Sequence, residues 1–197
     1  YIKTIHHGID LKRFRFHRRP DDYLLFFGRI HPDKGAREAI EIAKACDKRL
    51  VMAGIIQDEA YYHRDVEPYC DKVHVTYLGS VGSTRRNQLL GHAKALLHPI
   101  QFNEPFGLSI FEAMACGTPT IAFARGSMPE LIEHGENGFL VSDVAEAIEH
   151  VSQLNAIDRA RCRQTVEERF SADRMVEQYI DAYRDILKFP PVGVPKL

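Results

Sequence analysis

Strand-like and helix-like segments alternate along this 197-residue chain almost to its end. The first strand-like run, Tyr23–Phe27, is apolar throughout and stops at Gly28, which is typical of a parallel strand buried on both faces. Further strand-like runs cover 50–53, 73–78, 95–98, 120–122 and 139–141. Helical patterns cover 36–43, about 58–70, 85–92, 108–116, a short piece from 128, and the remainder to about 188, where Pro190 and Pro191 should stop them. This alternation predicts an α/β fold built on a doubly wound, Rossmann-like parallel sheet.

The composition argues against one class of function. With 45% hydrophobic residues and a net charge of −1, the chain has enough apolar residues for a core and no overall basic excess. These values give no support for a nucleic-acid-binding surface. The basic stretch 12–19 is the local exception, and we interpret it as a solvated linker or interdomain surface.

Cysteine spacing and hydropathy bear on compartment and metals. The four cysteines are widely separated and form no C-x-x-C pair, so neither a disulfide framework nor a metal site is expected. No apolar run approaches the ~18 residues that a transmembrane helix needs, and no signal-peptide pattern is present. We therefore expect a protein of the cytoplasm, or one peripheral to the inner face of the membrane.

The segment from Glu104 to Gly117 reads E-P-F-G-L-S-I-F-E-A-M-A-C-G and carries the strongest indication of a binding site. Between 108 and 116 only Ser109 and Glu112 are not apolar, so the pattern predicts a buried helix. A buried carboxylate needs a partner. Glu112 is therefore either half of an ion pair with a core Arg or Lys, or a contact for a ligand.

The start of this helix predicts an anion site. Pro105 and Phe106 precede the first turn, so the unpaired backbone amides near Gly107, Leu108 and Ser109 should point into one space. Helix N-termini attract anions through those amides and through the helix dipole. An anion site with a carboxylate one turn behind it suits a ligand that carries both phosphate and hydroxyl groups, such as a nucleotide sugar.

A charged loop follows the first buried strand, and it reads G-R-I-H-P-D-K-G from Gly28 to Gly35. Arg29 and Lys34 could neutralise a diphosphate, because Arg grips two oxygens with its planar fork and Lys acts as a movable point charge. The sequence contains neither a G-x-G-x-x-G after a strand nor a Walker A pattern. It also lacks D-x-D, which argues against a nucleotide sugar held by a metal ion.

The predicted sheet should bring separate loops together. Ligands of doubly wound sheets bind at the carboxyl ends of the strands, so the loops after Phe27, Leu78 and His98 are expected to share one crevice. We interpret His98 itself as a core histidine with satisfied hydrogen bonds. We interpret the two neighbouring histidines, His6 and His7, as structural residues. Glu130 is expected to cap or pair at the start of its helix.

In this order, these segments resemble the donor-binding half of a retaining, GT-B-fold glycosyltransferase of the group 1 family, also called family 4. Four motifs carry the resemblance: H-G-I-D at 7–10, G-R…K-G at 28–35, the glutamates of E-P-F-G-L…E-A-M-A-C-G-T-P at 104–119, and G-S-M-P-E…G-E-N-G-F-L-V at 126–141. His7 stands where the family usually has Asn. Together the motifs span most of the chain.

The resemblance implies a role for each candidate residue. Arg29 and Lys34, beside Gly28, would neutralise the donor diphosphate and stabilise the nucleoside diphosphate as it leaves. Glu104 would contact the donor sugar or its phosphate near the anomeric carbon, and Glu112 would accept hydrogen bonds from the ribose hydroxyls. The backbone amides at the start of the buried helix would hold sugar hydroxyls or phosphate oxygens; these are the amides of Gly107, Leu108 and Ser109. One further loop, made of Gly79, Ser80 and Val81, would line the base.

The resemblance also implies that part of the enzyme is absent. We expect residues 1–22 to be an interdomain crossover segment, 23–170 to be the nucleotide-sugar-binding domain, and 171–197 to include a helix, over about 172–187, that crosses back to an N-terminal acceptor-binding domain. The chain starts at Tyr1 and has room for one such domain, so it should bind donor without transferring sugar. Its exposed interdomain surface could make it dimerise.

Two other functions stay open at this stage. One is a sugar-nucleotide epimerase or glycan phosphorylase of similar fold, and the other is a nucleotide-sugar-binding module without catalysis. The combination of Arg29 and Lys34 with Glu104 and Glu112 favours the transferase. No cofactor is expected besides the substrate, for which a UDP-sugar is favoured over a GDP- or ADP-sugar.

Overall fold

The computed structural model describes residues 1–188, and these contain one parallel sheet with helices on its faces. Six strands form the sheet in the order β3-β2-β1-β4-β5-β6, and every pairing is parallel. The strands are β1 (Tyr23–Phe27), β2 (Arg49–Ala53), β3 (Val75–Tyr77), β4 (Ala95–His98), β5 (Thr120–Phe123) and β6 (Gly138–Val141). The doubly wound sheet predicted from the alternation is confirmed.

Eight α-helices connect and follow these strands within the described residues. They are α1 (Ala36–Ala45), α2 (Glu59–Tyr61), α3 (Ser83–His92), α4 (Leu108–Ala115), α5 (Met128–Leu131), α6 (Val144–Val151), α7 (Arg159–Arg169) and α8 (Ala172–Lys188). Short 3₁₀ turns cover Leu11–Arg13, Pro32–Lys34, Glu67–Tyr69 and Leu154–Ala156, and one π-helical turn covers Tyr62–Val66. The stop predicted at Pro190 and Pro191 lies outside the described residues.

The core lies on both faces of the sheet. Leu24 and Leu25 of β1 and Leu96 of β4 are completely buried, which explains why these strands read as continuous apolar runs rather than alternating ones. The predicted buried helix is α4, whose Phe111 is completely buried against Phe170 at 4.4 Å between ring centroids.

The strand order fixes where a ligand can bind. The chain builds outward from β1 to β3, then crosses to the other side of β1 and continues outward from β4 to β6. The order therefore reverses between β1 and β4. At such a switch point the loops after the two central strands diverge and leave a crevice at their carboxyl ends.

Three predicted elements differ from the observed ones. The helix expected over 58–70 is a composite of α2, the π turn and the 3₁₀ turn, because Pro68 lacks the amide that a continuous helix needs. The strand expected over 73–78 shrinks to β3, since the Asp71 carboxylate accepts hydrogen bonds from the amides of Val73 and His74 ahead of it. The C-terminal region predicted as helical is divided into α6, α7 and α8, and α8 confirms the separate last helix predicted over about 172–187.

The chain's N-terminal segment pairs with the start of its last helix. Ile9 forms an isolated parallel bridge with Ser171, and its amide donates to the carbonyl of Phe170 at 2.9 Å. Beyond this point α8 exposes apolar side chains at Val176, Tyr179, Ile180, Tyr183, Ile186 and Leu187. No helix among residues 1–188 is both long and apolar enough to cross a bilayer.

Candidate functional site

A cavity of about 580 Å³ opens at the switch point between β1 and β4. The ends of both strands, the loop after β1 and the first turns of α4 form its walls. Eight of the residues predicted for the site line it: Gly28, Arg29, Lys34, Glu104, Gly107, Leu108, Ser109 and Glu112. The sheet therefore brings together segments that are up to 84 positions apart in the sequence, between Gly28 and Glu112.

Glycine lets the loop after β1 pack against the loop after β4. Gly35 has a φ of +73°, a left-handed conformation that side chains disfavour. A Cβ there would overlap the carbonyl oxygen of Pro99. The amide of Gln101 also donates to the carbonyl of Asp33 at 2.7 Å. This close approach holds Lys34 opposite the residues that follow β4.

Lys34 and Glu104 form an ion pair inside the cavity. Their side chains are only 15% and 12% exposed, and the Lys34 ammonium lies 4.7 Å from the centroid of the Phe102 ring. The Glu104 backbone is fixed as well, since its carbonyl accepts a 2.9 Å hydrogen bond from the amide of Ser127. Two residues predicted separately for the diphosphate and the sugar are thus direct partners.

Arg29 is held differently at the mouth of the same loop. Its guanidinium donates to the side-chain oxygen of Gln57, and it is among the more exposed cations of the cavity. The adjacent Ile30 is completely buried and pairs with Ile56, which anchors the loop to the chain after β2. The guanidinium thus has one neutral partner and keeps donors available for an anion.

The start of α4 has the geometry of an anion-binding turn. Gly107 adopts a φ of +80°, and a Cβ there would press on the side chains of Met128 and Ile110. The amide of Ile110 donates to the carbonyl of Gly107, and no side chain within residues 1–188 caps the helix. The amides of Leu108 and Ser109 lie in the first turn, where the helix itself offers no acceptor.

Glu112 has a cationic partner, so the ion pair that the sequence left open as one of two alternatives for this carboxylate is present. Its Oε1 lies 3.0 Å from the guanidinium of Arg86 in α3, and its side chain is 13% exposed. Burial raises the pKa of Glu112, while Arg86 and then Arg13 act in the opposite direction. Because Arg86 and Glu112 both line the cavity, the ion pair and a ligand contact are compatible.

The loop predicted to line the base lies apart from this cavity. Gly79, Ser80 and Val81 follow β3, at the same edge of the sheet but two strands from β1, and they are absent from the cavity wall. The carbonyl of Gly79 accepts a hydrogen bond from the amide of Gly54, in the loop after β2, at 2.9 Å. Their role toward a base stays a prediction.

Six of the residues that line the cavity were not among the predicted binding residues: His7, Phe26, Phe27, Arg86, His98 and Phe106. Arg86 follows another arginine on a polar helix and resembles a solvated charge. However, it stands three and four positions before the buried Leu89 and Leu90, which places it on the inner face of α3. That spacing was the signal available in the sequence.

His98 is another of these six residues, and its predicted hydrogen bonding differs from what the structure shows. It is buried at the end of β4 and lines the cavity, but its Nε2 has no hydrogen-bond partner among the described residues. Burial, followed by the charge of Lys34, lowers the pKa of His98 to about 3. The imidazole is therefore neutral at physiological pH, and no group within residues 1–188 supplies the hydrogen bond that was predicted for it at Nε2.

Residues around the cavity rim have the structural roles expected of them. His6 Nε2 lies 2.9 Å from Glu130 Oε2, so Glu130 pairs at the start of α5. The ring of His7 contacts that of Phe106 edge-on at 4.8 Å, and Phe106 packs on Phe111 at 4.7 Å. His7 and Phe106 nevertheless form part of the cavity wall.

Comparison with known proteins gives a consistent result. The family described as "Glycosyl transferases group 1" has a model that matches residues 9–169. The D-inositol 3-phosphate glycosyltransferase of Mycobacterium tuberculosis is 30% identical over 203 residues, which cover 92% of this chain and 42% of that protein. The chain thus spans less than half of this curated relative.

Solved structures agree with the fold. AviGT4, a glycosyltransferase involved in avilamycin A biosynthesis, superimposes with a TM-score of 0.80 and 29% identity, covering 94% of this chain and 58% of its own. The Anabaena protein Alr3699/HepE, solved in complex with UDP and glucose, has a TM-score of 0.80 over 93% of this chain and 57% of its own. At 23% identity, the second likeness shows the fold alone.

Proposed function

The chain belongs to the glycosyl transferases group 1 family, and on that premise we propose that it is the donor-binding part of a retaining glycosyltransferase. Its cavity would hold a nucleoside-diphosphate sugar, which donates the sugar to an acceptor hydroxyl. The observation that carries this proposal is the meeting of two cations and two carboxylates, Arg29, Lys34, Glu104 and Glu112, in one cavity at the switch point of the sheet.

Each group has chemistry that suits one part of such a donor. Arg29 and Lys34 are cations that can neutralise a diphosphate, and the free amides of Leu108 and Ser109 can donate to its oxygens. Glu112 can accept hydrogen bonds from the two ribose hydroxyls. Glu104, which pairs with Lys34 in the cavity, would contact the sugar or the phosphate attached to it.

In the proposed reaction, negative charge develops on the diphosphate that Arg29 and Lys34 would bind. The bond between the anomeric carbon and the diphosphate oxygen breaks, and the acceptor oxygen bonds to the same carbon on the same face. The acceptor proton passes to the departing diphosphate, whose negative charge grows as the bond breaks. Arg29 and Lys34 would stabilise that charge without reorganising, which is the usual source of electrostatic catalysis. We assign this work to side-chain cations rather than to a resident metal, since the sequence lacks the paired carboxylates of a D-x-D motif.

The acceptor site and the whole reaction would need a second domain. The apolar face of α8 is exposed and includes Val176, Tyr179 and Tyr183. It supports the proposal that another domain covers this surface in the longer protein. The isolated chain should then bind donor without transferring sugar, and its exposed α8 could drive dimerisation. We place the full-length protein in the cytoplasm or against the inner face of the membrane, because the four cysteines of this chain are unpaired, as in reducing compartments.

Calorimetric titration of the chain with UDP, GDP and ADP tests the proposal. UDP is the first probe because the Anabaena protein of similar fold was solved with it. Glu112→Gln keeps the side-chain shape but removes the charge, so we expect the nucleotide to bind about 1–3 kcal/mol more weakly. That loss corresponds to roughly 5- to 150-fold in Kd.

Glu149→Gln is the matched control, because Glu149 is exposed on α6 and lies outside the cavity. It should bind nucleotide as the unmodified chain does. A folded chain that binds none of the three nucleotides would refute the donor site. Sugar transfer by this chain alone, measured with UDP-glucose, would refute the division between donor-binding and acceptor-binding domains.

A further inference from the structure

Arg86 occupies an unusual place for an arginine on a polar helix. Its guanidinium lies 5.5 Å from the centroid of the buried Phe14 ring and 3.0 Å from Glu112 Oε1. Its Nε is buried and has no hydrogen-bond partner within residues 1–188. The side chain therefore spans from the apolar interior to the cavity wall and ends at the carboxylate of Glu112.

The ion pair between Arg86 and Glu112 matters because burial disfavours the charged form of Glu112. A carboxylate taken out of water favours the protonated form unless a cation compensates. Two described cations act on Glu112: Arg86 from α3, and Arg13 from the segment before β1. Cys116, one turn further along α4, is itself buried, and burial raises the pKa of its thiol to about 12, so it stays neutral. Arg86 is therefore the main group that compensates the charge of Glu112.

Ionisation decides what Glu112 can do for a ligand. A carboxylate accepts hydrogen bonds at both oxygens, whereas a carboxylic acid gives up part of that capacity to its own proton. A ribose presents two neighbouring hydroxyls, each of which can donate. With Oε1 facing Arg86, the carboxylate is also restrained from rotating, which fixes the direction of its remaining lone pairs.

We propose that Arg86 is the positioning residue of this site, which holds the Glu112 carboxylate charged and aimed at the 2′- and 3′-hydroxyls of a ribose. The site thereby selects ribonucleotides over 2′-deoxyribonucleotides. This inference rests on the proposed function, and it assigns Arg86 an action through Glu112 rather than on the phosphates.

The test compares one nucleotide with its 2′-deoxy form. The probe is whichever of UDP, GDP and ADP binds best, together with its 2′-deoxy counterpart, titrated into the chain at pH 7 and pH 5. The variants are Arg86→Gln, Arg86→Lys, Glu112→Gln and the double variant of Gln at both positions. Arg85→Gln is the matched control, since Arg85 is the exposed neighbour of the same residue type.

We expect Arg86→Gln to weaken the ribonucleotide about tenfold and the 2′-deoxy form much less. The loss should grow at pH 5, because an uncompensated Glu112 takes up a proton. Arg86→Lys should restore part of the affinity, and Arg86→Gln should add little to Glu112→Gln. Arg85→Gln should change nothing.

A second measurement needs no ligand. The Glu112 carboxyl, followed by ¹³C NMR during a pH titration of the free chain, should titrate at higher pH in Arg86→Gln than in the unmodified chain. Equal titration in the two would overturn the inference, as would equal weakening of the ribo and deoxy forms, which would make Arg86 a phosphate ligand.

The outcomes separate this inference from the proposed function. A chain that binds a nucleotide equally well with and without Arg86 overturns the inference alone. A chain that binds none of the nucleotides overturns the proposed function and the inference with it. Thermal unfolding of Arg86→Gln confirms that any loss of binding belongs to a folded protein.

Discussion

Replacing His98 with Phe should remove a large part of the protein's sensitivity to acid. His98 is buried at the end of β4, and its pKa is lowered from the ordinary 6.5 to about 3. The unfolded chain exposes this imidazole to water, where it takes up a proton near pH 6.5. Between these two values the unfolded state therefore binds a proton that the folded state cannot accept.

The size of the effect follows from this difference in pKa. Stability from the neutral His98 is complete above pH 6.5 and is lost as the pH falls from there toward 3. Each pH unit in that range costs about 1.4 kcal/mol. At pH 5 the folded state should thus have lost about 2 kcal/mol relative to pH 7, a sizeable share of the ~5–15 kcal/mol that stabilises most domains.

Urea unfolding at pH 7 and pH 5 measures this loss. The unmodified chain should lose about 2 kcal/mol more than His98→Phe between the two pH values, because Phe keeps an aromatic ring but cannot bind a proton. Any effect of the substitution on packing is present at both pH values and cancels in the comparison. Other titrating groups are shared by both chains and cancel as well.

His7→Phe is the control, since His7 lines the same cavity but is exposed. It should lose as much stability on acidification as the unmodified chain, to within a few tenths of a kcal/mol. Equal acid losses in the unmodified chain and in His98→Phe would refute the reasoning. That result would mean that the folded protein accepts a proton on His98 at little cost.

Two further predictions concern the scaffold of the site. Gly35→Ala should destabilise the chain by about 2 kcal/mol or more, because Gly35 has a φ of +73° and a Cβ would overlap the Pro99 carbonyl oxygen. We expect a lower urea midpoint together with weaker nucleotide binding. Unchanged stability would contradict this prediction. Arg159→Met should lower the free energy of unfolding by at least about 3 kcal/mol. The reason is that the largely buried guanidinium donates to three backbone carbonyls at 2.6–3.0 Å, those of His17, Gly91 and Ala93. Arg161→Met is the control at a more exposed arginine of the same helix, and it should lower the free energy of unfolding far less in the same assay.

Local sequence was enough to predict most of the fold. The apolar runs at Tyr23–Phe27 and Ala95–His98 are buried on both faces and form central strands, as continuous hydrophobicity indicates. The buried character of α4 followed in the same way from its all-round apolar sequence. These elements are predictable because their own residues decide both the period and the burial.

Other elements depended on partners distant in the sequence. The last helix was predicted over about 172–187, close to α8 as observed. The pairing of Ser171, just before it, with Ile9, 162 positions earlier, was not predicted, because no residue near Ser171 indicates that contact. The late start of β3 has a local cause instead, because the Asp71 carboxylate accepts hydrogen bonds from the amides of Val73 and His74. An Asp before a strand-like run is too common a pattern to predict this.

The sequence by itself determined which kinds of residue stand at the ends of the strands, because motif spacing and apolar periodicity are local properties. Together with the resemblance to a known family, which added Glu104, these properties predicted eight residues that line one cavity. Only the tertiary structure decided how these groups pair: Lys34 with Glu104, and Glu112 with Arg86. Those pairs join different strand–helix units, and their formation depends on distances and burial that arise only when the sheet is assembled. The same burial leaves His98 neutral, which its position in the sequence could not reveal.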